Sequence, residues 1–125
     1  MNMIRERLVD VCQQLHFKVT EMDDSTVVVR YQMHLVHICY NEKSPNDCFV
    51  VVAVMKEIPE GERLHLLEKC NDINERLKHY KYYIMESGVV ATIEFRFSND
   101  DELKYQLEQA VRSISRARTI FERDN

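Results

Sequence analysis

Residues 48–55 read Cys48-Phe49-Val50-Val51-Val52-Ala53-Val54-Met55, eight apolar residues without a charge, a Gly or a Pro. The length and the wealth of β-branched side chains predict a strand buried on both faces rather than a helix. Successive side chains of a strand point to opposite faces. Phe49, Val51, Ala53 and Met55 therefore share one side, and Val50, Val52 and Val54 the other. Both sides need cover, and the rest of the chain is read for what supplies it.

Upstream, Thr26–Tyr31 and His34–Tyr40 carry strand patterns and follow the turn signal Asp23-Asp24-Ser25. The loop Asn41–Asp47, with Ser44-Pro45-Asn46-Asp47, leads into the apolar strand. Connections this short predict an antiparallel meander, since parallel strands need a long crossover. Further upstream, Ile4, Leu8, Val11, Cys12 and Leu15 mark one stripe of a helix over Met3–His16, and Phe17–Glu21 reads as a short extended exit.

Downstream, Ile58-Pro59-Glu60-Gly61-Glu62 closes the meander and opens a second helix to about His79. Its apolar stripe is Leu66, Cys70, Ile73 and Leu77, widened by Leu64, Leu67, Asn71 and Asn74. Tyr80–Met85 and Val89–Phe97 flank Glu86-Ser87-Gly88 and read as a hairpin. Ser98 or Asn99 caps a last helix over residues 100–122, which buries Leu103, Leu107, Ala110, Ile114, Ala117 and Phe121. The order α-β-β-β-α-β-β-α predicts one α+β domain over residues 1–125 with a five-stranded antiparallel sheet.

Composition narrows the function classes. Charged residues make up 30% and hydrophobic residues 45%, an ordinary globular balance. The net charge of −4 argues against a nucleic-acid partner, which would call for a basic surface. The charged N-terminus and the lack of an 18-residue apolar run predict a cytoplasmic protein with no membrane partner. Cys12, Cys39, Cys48 and Cys70 form no Cys-x-x-Cys pair and read as reduced thiols packed as small hydrophobes.

No residue set announces a reaction. His34 and His37 are three apart on one strand and point to opposite faces, so they cannot share a metal. His37 and Cys39 share a face, but paired ligands in tight spacing are missing, and no metal or cofactor is expected. The cysteines lie in apolar settings that leave thiols inert, so no catalytic residue is expected. Asn71 and Asn74 either hold a strand or loop backbone or bind a partner's backbone. Arg112 and Arg116, in a row with Tyr105 and Arg123, form either a solvated face or a surface for an acidic partner.

The element order, with Leu66-Leu67 and Asn71-Asp72-Ile73-Asn74 on the second helix and a hairpin at Tyr82–Phe97, resembles the type III secretion chaperone-like fold. Within it the chain looks most like the YbjN-like family of bacterial sensory transduction regulators. An Asn-x-x-Asn pair is typical of those relatives; they tend to place a Gly where this chain has Gln32-Met33. The resemblance implies a non-enzymatic protein that binds a protein partner or client, often as a homodimer.

Val28, Val50, Val52 and Val54, joined by Asn71, Asn74, Arg112 and Arg116, are thus the candidate partner or dimer surface. Two alternatives stand beside it. The second helix could cover the apolar strand face, or a groove between sheet and helix could hold a small ligand for a sensing regulator.

Overall fold

The computed structural model describes residues 3–40, 49–86 and 88–123. Helix α1 (Met3–Gln14) leads into strands β1 (Lys18–Met22), β2 (Thr26–Tyr31), β3 (His34–Tyr40) and β4 (Phe49–Lys56). Helix α2 (Arg63–Arg76), strands β5 (Lys81–Met85) and β6 (Gly88–Phe95), and helices α3 (Asp100–Ile114) and α4 (Ala117–Arg123) complete the chain. The strands form one antiparallel sheet in the order β1-β2-β3-β4-β6-β5.

The sheet has six strands, not the five expected. The extended exit after α1 turns back and pairs with β2, from Lys18 opposite Arg30 to Met22 opposite Val27. Its sequence, Lys-Val-Thr-Glu-Met, has no apolar face to betray a strand, and only Val19 is part-buried. Edge strands that are charged and irregular resist pairing with other chains. β1 carries Lys18 and Glu21, and its register shifts between Val19 and Glu21.

Local chemistry sets the joints. α1 ends in a Schellman motif: Phe17 N–H donates to Cys12 O at 2.9 Å and His16 N–H to Gln13 O at 3.0 Å. His16 accordingly takes φ +63°, a left-handed position usually held by Gly. Asp23 Oδ1 accepts from Ser25 N and Thr26 N, each at 2.8 Å, which makes the expected turn before β2. Gln32, at φ +56°, starts the two-residue turn between β2 and β3. The loop over residues 41–47 and Cys48 lie outside the described residues.

Two helices differ from expectation. α2 opens at Arg63, just past Gly61 at φ +82°, but ends at Arg76, short of His79, because Leu77 turns extended. The last helix is two. Ser115 Oγ donates to Arg112 O at 2.7 Å and Arg116 N–H bonds three residues back to Ser113 O, tightening the turn between α3 and α4. Asn99 caps α3 as expected, its Oδ1 accepting from Glu102 N at 2.8 Å.

One core forms between the helices and one face of the sheet. Phe49, Val51 and Met55 of β4 join it with Val27 and Val29 of β2 and Ala91 and Ile93 of β6. α1 supplies Leu8, Val11 and Cys12; α2 supplies Leu66, Cys70 and Ile73; α3 and α4 supply the rest, from Leu103 to Phe121. α2 packs chiefly against β5, at the sheet's margin. The helix layer therefore lies on one side of the sheet.

Candidate functional site

The opposite face of the sheet is a surface whose rows are set by register. Antiparallel partners point to the same side. One row crosses Val28, His37, Val52 and Thr92, ending at Lys81. A second crosses Thr26, Cys39, Val50 and Glu94. A third holds Leu35 on one side and Val54, Val90 and Tyr83 on the other. Val28, Val90 and Thr92 are buried in this surface, Val50 and Val52 are half-buried, and Leu35 (51% exposed), Val54 (41%) and Met85 (47%) stand open.

Between β3 and β4 this surface is split. Their ladder stops at His37 opposite Val52, although the same register would oppose Val36 to Ala53 and Leu35 to Val54. The strands diverge around a cavity of about 340 Å³. Its walls include Leu35, Val36, Ala53, Val54 and Met55, and its helix side is closed by Ile114, Ser115 and Arg118 at the α3–α4 joint. Arg118 Nη2 donates to Val54 O at 3.3 Å.

The four candidate valines are thus brought together on one face. The other candidates are not. Asn74 sits at the sheet's margin, where its Nδ2 donates to Tyr82 O and its Oδ1 accepts from Tyr82 N, each at 2.8 Å. Asn71 is exposed on α2. Arg112 and Arg116 lie in the helix layer, exposed, with Arg112 Nη2 3.6 Å from Glu108 Oε2 one turn back. Arg118 was missed: reading α3 and α4 as a single helix hid the turn that aims it at β4.

Tyr80 and Tyr82 tie the start of β5 to the helices. Tyr80 Oη donates to Ser113 O at 2.8 Å and Tyr82 Oη to Ala117 O at 3.0 Å, with the Tyr82 ring stacked on Phe121. Burial pushes both phenols above their ordinary range. Cys12, Cys39 and Cys70 are free thiols, and burial raises each of them. Thiols of that kind are poor nucleophiles. Among the described residues no three His, Cys, Asp or Glu side chains are grouped to hold a metal ion, and no helix is long and apolar enough to cross a membrane.

The fold has solved counterparts. The chain is similar to the crystal structure of YbjN from E. coli, with a TM-score of 0.66, 13% identity, and 89% of this chain and 85% of that one covered. It is similar to a chain of the HopA1–SchA chaperone–effector complex, with a TM-score of 0.60, 12% identity, and 94% and 95% covered. A third likeness is to the heterodimeric ExoU–SpcU complex from the type III secretion system of Pseudomonas aeruginosa, with a TM-score of 0.55, 14% identity, and 88% and 93% covered. Identities this low show a shared fold. No curated protein matches the sequence significantly. A family model described as "Putative bacterial sensory transduction regulator" matches residues 5–123, and the chain belongs to that family, YbjN.

Proposed function

We propose that this protein is a non-enzymatic, chaperone-like or regulatory binding module that holds a protein partner on the helix-free face of its sheet. One observation carries the reading. All the described helices pack on one side, while the other side carries half-buried Val50 and Val52 and exposed Leu35, Val54 and Met85. Apolar surface of that kind marks an interaction site more often than a solvated face. Two of the similar folds come from complexes with a bound protein, one described as chaperone–effector and one as a heterodimer. They support a client segment as the occupant; a second copy of the chain, giving a homodimer, uses the same apolar chemistry. No part of this reading requires a cofactor, a nucleic acid or a membrane, and a cytoplasmic setting suits it.

Neighbouring residues of β4 provide the test. Val52→Glu places a carboxylate on the open face, so the variant should fold and lose its partner or its dimer. Val51→Glu places one in the core, where an unpaired charge should unfold the chain. Light scattering on a sizing column gives the mass, and co-purification from native cytoplasm gives the client. A Val52→Glu variant that folds and keeps every partner and the same mass would sink the proposal.

A further inference from the structure

The split between β3 and β4 is more than a flaw in the ladder. Strand pairs normally continue as long as both strands do, because unpaired backbone groups are costly once shielded from water. Here β3 extends three residues and β4 four past the last pair, His37 with Val52, and the strands part around the cavity. Its volume of about 340 Å³ falls at the small end of ligand pockets, which run roughly 300–1,000 Å³.

The lining is chemically one-sided. Leu35, Val36, Ala53, Val54, Met55 and Ile114 make apolar walls. Arg118, His34, His37 and Ser115 supply polar groups, and no Asp or Glu lines the space, in a chain whose net charge is −4. Arg118 has no ion-pair partner among the described residues and uses a single N–H on Val54 O. A guanidinium has five such donors in a planar fork, which matches a carboxylate with two parallel bonds. The half-buried His34 and His37 carry ring nitrogens able to donate as well.

We propose that this cleft binds a small carboxylate with an unbranched apolar tail, its head on Arg118 and its tail between Leu35–Val36 and Ala53–Met55. The cleft shares Leu35 and Val54 with the proposed protein-binding face, but the inference rests on the parted strands and Arg118, not on a partner occupying that face.

Octanoate is the probe. Titrated into the isotopically labelled full chain below its micelle concentration, it should shift amide signals of residues 33–37, 53–55 and 114–118, and those shifts should saturate. Octanol, with the same tail and no charge, should bind at least tenfold more weakly. Arg118 is exposed, so Arg118→Gln should keep the wild-type melting temperature and lose at least tenfold in octanoate affinity. Absence of saturation would overturn the proposal. So would shifts spread over the whole open face, or equal affinities for octanoate and octanol. Octyl phosphate binding tenfold tighter than octanoate would overturn the choice of carboxylate.

Discussion

The side chain of Asn74 holds the backbone of Tyr82 by both its groups, donating to the carbonyl and accepting from the amide at 2.8 Å each. A single amide thus imitates a neighbouring strand at the sheet's margin and docks α2 on β5. Asn74→Ala leaves both backbone groups without that partner in a part-buried setting. It should lower stability by about 1–3 kcal/mol in urea melts. Asn71→Ala, at an exposed position, should stay within about 0.5 kcal/mol of wild type. Equal effects of the two substitutions would contradict this division of roles.

Two left-handed positions carry exposed non-glycine side chains. His16 (φ +63°) ends α1 and Gln32 (φ +56°) starts the β2–β3 turn. Gly removes the steric penalty of about 1 kcal/mol at such sites. His16→Gly and Gln32→Gly should each raise the melting temperature, with a gain of up to about 1 kcal/mol. A drop in either would show that the imidazole or the amide makes a contact worth more than the strain.

Gly88 cannot be replaced. A Cβ there would fall 2.2 Å from the backbone oxygen of Lys56, at φ +128°. Backbone on both sides leaves no flexible end to yield. Gly88→Ala should destabilise by about 1–3 kcal/mol or more. Gly61→Ala meets nothing within 4 Å and has only its φ of +82° to strain it, so its effect should be smaller. The two melting temperatures decide the matter directly.

Alkali should unfold the protein through its thiols. Burial lifts Cys12 from its ordinary 9.0 to about 12. Between those values the unfolded chain has released a proton that the folded chain keeps. Stability is therefore whole below about pH 9 and falls as pH rises toward 12. Cys39, Cys70, Tyr80 and Tyr82 are raised too and steepen the decline. Urea melts at pH 8 and 10.5 measure the slope, which Cys12→Ala should flatten. Iodoacetamide labelling of Cys12 as fast in the folded protein as in urea would refute the shielding.

Most of the fold was legible because burial left its mark in periodicity. Val50–Val52–Val54 alternate with Phe49–Val51, and β4 follows; Leu103, Leu107 and Ala110 recur at helical spacing, and α3 follows. β1 was hidden because backbone pairing forms it without an apolar face. The α3–α4 break was hidden because Ala117 and Phe121 keep the helical spacing across it; only the Ser115 hydroxyl signals the turn. Of the candidate surface, the valines were readable from alternation. Asn71 and Asn74 look alike in sequence, and only the position of β5 separates them. The gap beside Arg118 depends on where a ladder stops, which no local pattern records.

The blocked margins of the sheet bear on how this protein ages. A chain that keeps an apolar face open risks stacking into cross-β fibrils, and such growth starts at a free strand edge. At one end β1 is short, charged and bulged. At the other, the run Lys81-Tyr82-Tyr83-Ile84-Met85 is just the kind of segment that nucleates fibrils, and Asn74 occupies the backbone groups of Tyr82 near its start. One amide side chain then guards against polymerisation as well as fastening a helix. Concentrated Asn74→Ala should show a shorter thioflavin lag than Asn71→Ala, and a lag no shorter would separate the two duties.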